Sequence, residues 1–252
     1  LMIGLPGSSV AALDGDLQLC VDREIMARVF RTELLVNSPM NEPSYRALHD
    51  GTTEEVAVSE LKGMVENRRK SLVVSTASYT AQDMASMLRH RQTFGIAESF
   101  GLLRHVARWV RQTTGRTETS FYTFVDETSR ARPESYPLIA WTFDSLVEYS
   151  VAPTAWTYFF EEVRAMLVDD LGIAPGSEMD TVLAVQQALV PARGRTFPCS
   201  VELAHDYPAW FAAMLAAKDQ GLDWCETVPA LGAFGPGRLD VDDPTDVCRR
   251  AI

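Results

Sequence analysis

The side chains of this chain best suited to metal or redox chemistry are its histidines and cysteines. They are His49, His90, His105, His205, Cys20, Cys199, Cys225 and Cys248. No two of them stand at the short spacing of a zinc or iron–sulfur site, so the sequence predicts no metal centre on these residues. The cysteines are instead typical of reduced thiols, which predicts a cytoplasmic protein.

A glycine- and proline-containing turn is the first segment that suggests a ligand site. The apolar run Leu1–Leu5 ends in Gly4-Leu5-Pro6-Gly7. Glycine removes the side-chain obstacle to close approach, and proline fixes the turn. The backbone could therefore approach a ligand here, although a tight strand-to-helix turn without a ligand explains the same residues.

A second segment, Leu34–Tyr45, combines a strand end with polar residues and two prolines. Its polar side chains are Asn37, Ser38, Asn41 and Glu42. They could bind a ligand, or they could hydrogen-bond to the backbone of their own loop. Acidic pairs elsewhere, such as Asp169-Asp170, are interpreted as solvated surface rather than as metal sites.

The elements that position these two segments form a predicted strand–helix–strand unit. Strands are expected at Leu1–Leu5 and Val29–Val36, with an amphipathic helix between them whose apolar face includes Leu13 and Leu17. Such a unit implies parallel neighbouring strands. A partly helical stretch is predicted at Thr53–Arg69 and a further buried strand at Ser71–Ser78.

Helices are predicted to dominate from residue 80 onward. The spacing of apolar residues predicts helices at Ala81–Arg91, Ala97–Thr113, Pro137–Tyr149 and Thr154–Leu171, and a helix capped by Ser177 that ends at Leu189. An extended Arg195–Leu203 and a helix capped by Asp206 are predicted to follow. The tail from Gly232 is predicted to be loop. The fold class is therefore α/β followed by α, with domains at 1–79 and 80–252.

Composition limits the classes of partner. The formal net charge of −11 disfavours non-specific nucleic-acid binding and docking on an anionic membrane surface. No apolar run approaches the roughly 20 residues that span a bilayer. Because the chain opens directly into an apolar run at Leu1, we expect a further segment to precede it.

Taken in order, GLPG, LVNSPMNEP and SLVVSTASYT resemble the later βα units of radical SAM enzymes, most closely those with a cobalamin-binding domain. The resemblance covers roughly residues 1–80. It implies the C-terminal strands of a partial (β/α)6 barrel followed by a mostly helical C-terminal domain. It also implies S-adenosylmethionine, a [4Fe-4S] cluster and cobalamin as cofactors.

In that family, residues at two strand ends hold the adenine of S-adenosylmethionine. By position they would be Ile3, Gly4, Leu5, Pro6, Leu35, Val36, Asn37 and Ser38. The family's CxxxCxxC and DxHxxG motifs are absent from this chain. The cluster and the cobalamin would therefore be bound mainly by a missing N-terminal part of the same polypeptide, and this chain alone is predicted to be inactive.

The resemblance implies methyl transfer or a radical rearrangement on a small-molecule or natural-product substrate, with Tyr45, Tyr79 and Trp141 as further candidates for the substrate cavity. The alternative is a non-enzymatic helical interaction or scaffold domain with a small α/β cap and no cofactor. The exposure of the first strand distinguishes the enzyme hypothesis from the scaffold hypothesis. The enzyme hypothesis predicts a first strand that lacks a partner and leaves apolar surface exposed, whereas the scaffold hypothesis predicts no exposed sheet edge.

Overall fold

The computed structural model describes residues 1–57, 69–145, 153–190, 192 and 195–243. The chain is a mixed α/β protein in which helices predominate and the sheets are small. It divides into two compact units, Leu1–Gln92 and Thr93–Ile252. This division falls near the end of helix α3 (Ala81–Phe94), whereas the sequence placed a boundary just before that helix.

The first unit opens with the predicted strand–helix–strand motif, which is confirmed. Strand β1 (Met2–Ile3) and strand β2 (Phe30–Arg31) are parallel neighbours and are joined by helix α1 (Val10–Asp22). The helix starts where it does because the Ser9 side chain accepts a hydrogen bond from the Ala12 amide at 3.1 Å. Its buried residues Leu13, Leu17 and Val21 recur every four positions and so lie on one face.

Both strands are shorter than predicted, and the next pair is antiparallel. Strand β3 (Thr52–Ala57) pairs with strand β4 (Arg69–Ser75), so the helical prediction for Thr53–Arg69 is wrong where the structure describes it. The rest of that prediction, residues 58–68, lies outside the described residues. An isolated antiparallel bridge between Glu33 and Leu72 links β4 to the chain just after β2. A partial (β/α)6 barrel is not confirmed by the described strands.

Two short helical segments follow β2. A 3₁₀ turn at Pro39–Asn41 leads into helix α2 (Pro43–Leu48), where proline occupies the first position. Proline suits this position because the first amide of a helix has no partner to lose. Helix α3 then begins after Thr80, whose amide and hydroxyl both donate to the Asp83 carboxylate, as in a capping box.

Helices dominate the second unit, as the sequence predicted. Their bounds are α4 (Arg104–Thr114), α5 (Glu118–Ala131), α6 (Pro137–Ser145), α7 (Pro153–Asp169), α8 (Ser177–Leu189), α9 (Tyr207–Asp219) and α10 (Trp224–Thr227). Helix α8 ends at Leu189 as predicted, but Ser177, the predicted cap, is its first residue and Gly176 occupies the cap position. Helix α5 was missed, and the last residues of the predicted Pro137–Tyr149 helix lie outside the described residues.

The predicted helix Ala97–Thr113 is interrupted at its start. Residues Gly95–Ser99 form a π-helical turn, and the Phe100 amide donates to the Gly95 carbonyl five residues back. Gly101 then adopts a φ of 90°, a left-handed conformation that ends the turn. A regular helix resumes only at Arg104.

A two-stranded sheet corrects the prediction for the tail. Strand β5 (Cys199–Leu203) lies within the predicted extended stretch, and its antiparallel partner β6 (Gly237–Val241) was predicted to be loop. Gly237 is required at the start of β6, because an added Cβ atom would lie 2.5 Å from the Cα atom of Asp206. Asp206 itself caps α9 by accepting from the Ala209 amide, as predicted.

Helix α6 receives its N-terminal cap from another helix. The Glu162 carboxylate on α7 accepts hydrogen bonds from the backbone amides of Leu138 and Ile139, at 2.9 to 3.1 Å. These amides belong to the first turn, which has no partners within its own helix. The carboxylate also complements the positive end of the helix dipole.

Candidate functional site

An open pocket in the first unit lies where the chain leaves its two parallel strands. Gly4 and Pro6 follow β1, Leu34 follows β2, and all three residues line the pocket. Because parallel strands end at the same edge of a sheet, their connecting loops meet there. The pocket is open to solvent, and the space that it encloses is about 20 Å³, little more than one water molecule needs.

Gly4 must be glycine for two independent reasons. Its φ is 97°, in the region that side chains rarely adopt. An added Cβ atom would also lie 3.2 Å from the Met84 side chain and 3.3 Å from that of Thr32. The close approach that the sequence suggested is therefore made to Thr32 and Met84, on the buried side of the turn.

Helix α2 supplies one wall of the pocket. Tyr45, Arg46 and His49, the residue that ends the helix, all line it. The rings of Tyr45 and His49 are 4.4 Å apart and tilted by 50°. Positions i and i+4 share one helix face, so this contact follows directly from the spacing.

Strands β3 and β4 complete the wall with small and hydroxyl-bearing residues. Thr53 accepts a hydrogen bond from the Arg46 guanidinium at 3.2 Å. Thr52 is 2.6 Å from the Ser75 hydroxyl, and the register of β3 against β4 shifts between Thr52 and Thr53. A register shift of this kind changes the direction in which side chains leave a strand. Both threonines line the pocket.

The residues that the resemblance assigned to adenine fall into two groups. Gly4 and Pro6 line the pocket. Ile3 is buried in the core, and the Leu5 carbonyl accepts from the Ser8 amide in the turn. These last two are not among the residues that line the pocket.

The second assigned stretch, residues 35–38, does not line the pocket. Leu35 and Val36 are 53% and 88% exposed, and Asn37 is exposed as well. The Ser38 hydroxyl accepts from the Met40 amide at 3.2 Å and so caps the 3₁₀ turn. The alternative interpretation, in which polar groups of this loop bind their own backbone, therefore describes Ser38.

Sequence reasoning missed most of the polar lining. It named Tyr45 as a further cavity candidate, but it predicted only that His49 forms no metal centre, and it did not consider Arg46 or Thr53. The available signal was the helical spacing of Tyr45 and His49 directly after a proline-rich loop. The contribution of β3 could not be found, because that strand was predicted to be helical.

The other two cavity candidates lie elsewhere. Tyr79 is buried, and this burial raises the pKa of its hydroxyl to about 12. Trp141 lies on α6 and is 55% exposed. Neither is among the residues that line the pocket.

A buried charged cluster lies in the second unit. Glu98, in the π-helical turn, accepts two hydrogen bonds at 2.8 Å from Arg108 and one from Tyr122. Arg104 adds a further ion pair to Glu98 at 2.9 Å. Burial alone would raise the pKa of Glu98, but the Arg108 charge and these hydrogen bonds lower it to about 2. A second buried carboxylate, Glu118, completes the cluster: its Oε1 atom lies 3.7 Å from Arg108 Nε, an ion pair without a hydrogen bond.

The histidines of the second unit are held by neutral partners. His105 Nδ1 is 2.8 Å from the Tyr207 hydroxyl, and burial with two nearby arginines lowers the pKa of His105 to about 3. His205 lies between the Ser177 hydroxyl and the Phe234 carbonyl. In the part of the chain that the structure describes, no group of three or more His, Cys, Asp or Glu residues could hold a metal ion.

The cysteines within the described residues are Cys20, Cys199 and Cys225, and all three are free thiols. Cys248 lies outside the described residues. No described helix combines the length and the apolar character needed to cross a membrane.

Comparison with known proteins assigns no family. Neither a protein-family model nor a curated protein sequence matches the chain.

Proposed function

We propose that this chain is the C-terminal part of a cobalamin-type radical SAM enzyme, and that its first unit binds the adenosine portion of S-adenosylmethionine. The proposal joins the resemblance of residues 1–80 to the geometry of the pocket. The reaction is methyl transfer or a radical rearrangement on a small-molecule substrate. Activity belongs to a polypeptide that also carries the cluster-binding and cobalamin-binding motifs.

One observation carries the proposal. Met2 pairs with Phe30 and Ile3 with Arg31 in parallel register, so both connecting loops leave the sheet at the same edge. That edge holds the pocket lined by Gly4, Pro6 and Leu34. Ligands of open α/β sheets bind outside the carboxyl ends of the strands.

The lining suits a nucleoside. Pro6, Leu34 and Met40 offer apolar contact to a flat base, and Thr52 and Thr53 also line the pocket. These residues would bind and orient the nucleoside and exclude water from one face of it. S-adenosylmethionine supplies the radical chemistry when it is bound to a cluster. No described group of cysteines fits that cluster, which we place on another part of the polypeptide.

Binding of 5′-deoxyadenosine to the 252-residue chain tests this proposal, with methionine as the ligand that lacks the base. We expect the nucleoside to shift backbone amide NMR signals of Gly4 and Gly51, and methionine not to do so. Met40→Trp should fill the pocket and weaken binding about tenfold, the effect of losing roughly 1.4 kcal/mol of contact.

Met26→Trp is the matched control, because Met26 is 68% exposed in the same unit and does not line the pocket. Binding to this variant should equal that of the unaltered chain. Absence of nucleoside-dependent shifts at millimolar concentration, or equal loss in both variants, would contradict the proposal.

Strand β1 pairs with β2, so the expectation that the first strand lacks a partner is wrong. The exposed apolar side chains of these two strands support the enzyme over the scaffold alternative. Met2 and Phe30 are register partners and are 54% and 58% exposed. Ile25 and Met26, just before β2, are similarly exposed. A self-sufficient scaffold domain gains nothing from apolar side chains in water, whereas a barrel enzyme would cover them with its remaining strands and helices.

A further inference from the structure

A serine and a histidine of the second unit form a hydrogen-bonded pair with a third polar group behind it. Ser177 Oγ lies 2.8 Å from His205 Nε2, and His205 Nδ1 lies 3.1 Å from the Phe234 carbonyl oxygen. A hydroxyl, a base and a group that orients the base, joined in this order, are how proteins activate a serine as a nucleophile. The pair belongs to the second unit, and its chemistry does not depend on the pocket of the first.

The Phe234 carbonyl determines which nitrogen of His205 carries the proton. A carbonyl oxygen only accepts, so the hydrogen of this bond must be on Nδ1. In the neutral imidazole Nε2 is then the bare nitrogen, and it accepts from the Ser177 hydroxyl. His105 differs, because its Nδ1 atom faces the Tyr207 hydroxyl, which can donate or accept and so fixes no tautomer. His205 is therefore poised to take the proton of Ser177.

The backbone on both sides of His205 is paired with the chain next to Phe234. The Asp206 amide donates to the Gly235 carbonyl at 2.6 Å, and strand β5 ends at Leu203 against the first residue of β6. These pairings hold the imidazole and its orienting carbonyl together in the absence of a substrate. A base that is positioned in advance loses little freedom when the reaction begins.

The start of helix α8 presents Ser177 to solvent. This serine is exposed and is the first residue of the helix. The next residue, Glu178, is held by the Trp109 indole, which donates to its carboxylate at 3.2 Å. Gly232, in the loop that carries the orienting carbonyl, packs so closely on the same carboxylate that an added Cβ atom would overlap it. The hydroxyl is thus accessible on a fixed support, at the positive end of a helix dipole that favours developing negative charge.

We propose that Ser177 and His205 form a second site, open to solvent, that hydrolyses carboxylic esters. Ser177 Oγ attacks the ester carbonyl carbon while His205 Nε2 takes the hydroxyl proton. The bond between that carbon and the alcohol oxygen breaks, the alcohol leaves with the proton, and the acyl group remains on Ser177. His205 then takes a proton from a water molecule whose oxygen attacks the acyl carbon, and returns it to Ser177 as the acid leaves. One ester and one water yield one acid and one alcohol.

The exposure of Ser177 restricts the class of substrate. A site open to solvent provides little of the binding energy that activates an unreactive substrate. Esters with a good leaving group need the least of it, whereas amides need more. We therefore expect hydrolysis of aryl esters and not of peptides. Because this reaction needs neither a cluster nor cobalamin, the chain alone should catalyse it.

Hydrolysis of p-nitrophenyl acetate by the full chain tests the inference, with release of p-nitrophenolate as the readout. We expect turnover above the rate in buffer. Ser177→Ala and His205→Gln should each lower it about hundredfold, the lower end of what a positioned general base contributes. Ser135→Ala is the matched control, because Ser135 is exposed in the same unit and is not part of the pair. Its rate should equal that of the unaltered chain.

Covalent labelling distinguishes a nucleophilic serine from a histidine that reacts alone. Phenylmethylsulfonyl fluoride should sulfonylate Ser177 with release of fluoride, as detected by mass spectrometry of the peptide that contains it. If Ser177→Ala does not fold, as judged by thermal unfolding, labelling of the unaltered chain decides. The inference is overturned if turnover does not exceed the rate in buffer, if it is the same in Ser177→Ala and Ser135→Ala, or if Ser177 is labelled no faster than Ser135.

Discussion

At the scale of single residues, Gly4 shows how one position serves both the fold and the pocket. Its left-handed backbone lets β1 end in a tight turn, and the missing side chain lets the turn pack on Thr32 and Met84. The sequence predicted a close approach at this position. It could not predict that the approach is to the protein's own core, because Met84 is distant in sequence.

Replacing Gly4 with alanine should destabilise the protein. The left-handed conformation costs about 1 kcal/mol for a residue with a side chain, and the tight contacts with Thr32 and Met84 add to it. We expect the free energy of unfolding to fall by about 1–3 kcal/mol, measured by urea denaturation. Gly15→Ala, within helix α1 with no atom near the added methyl, should be neutral or stabilising.

The buried ion pair of the second unit predicts a larger effect. Glu98→Gln removes one of the two buried carboxylates that pair with Arg108, whose side chain is completely buried. Breaking one half of a buried pair costs about 3–5 kcal/mol. Thermal unfolding should show this loss, whereas Glu127→Gln, at an exposed position of α5, should change stability little. Equal effects of the two variants would show that Glu98 does not balance Arg108.

At the scale of elements, helices were predicted far better than strands. The last residue of α8 and the cap of α9 follow from local signals, namely apolar spacing and an aspartate at the cap. Strands β3 and β6 were missed, because each depends on a distant partner, Arg69–Ser75 and Cys199–Leu203 respectively. The candidate site was predicted only in part for the same reason. Gly4 and Pro6, at the end of β1, follow from a local motif, whereas Thr52 and Thr53 line the pocket only because β3 pairs with a distant strand.

The exposed face of β1 and β2 makes an element-scale prediction. Met2 and Phe30 should bind a hydrophobic dye in the isolated chain, since their side chains lie side by side in water. The double substitution of both residues by lysine should lower dye fluorescence, as monitored with anilinonaphthalene sulfonate. The melting temperature should change little, because neither side chain is buried. Unchanged fluorescence would place the dye-binding surface elsewhere.

At the scale of the whole molecule, acid should destabilise the protein in a defined pH range. The pKa of Glu98 is about 2 in the folded protein against 4.5 for an ordinary glutamate, so the unfolded chain binds the proton more readily. The stabilisation is complete above about pH 4.5 and is lost as the pH falls toward 2. Asp170, whose pKa is also lowered through Arg132 and Tyr136, acts in the same direction. Glu162, whose pKa is raised by burial, opposes them.

Thermal unfolding as a function of pH measures this loss, which for Glu98 is on the order of 3 kcal/mol. Hydrogen exchange should locate it in α4 and α5, the helices that carry Arg108 and Tyr122. In the Glu98→Gln variant the dependence on pH below 4.5 should be weaker. An identical dependence in both proteins would assign the acid sensitivity to other carboxylates.

The cap that Glu162 provides for α6 has a consequence for the order of folding. Isolated helices shorter than about 12 residues are marginal in water, and α6 has only nine. The first amides of α6 donate to a side chain of α7. We therefore expect α6 to form only after α7 has docked, and to be still unformed in the folding transition state. In kinetic measurements, conservative substitutions within α6 should therefore accelerate unfolding and leave the folding rate nearly unchanged.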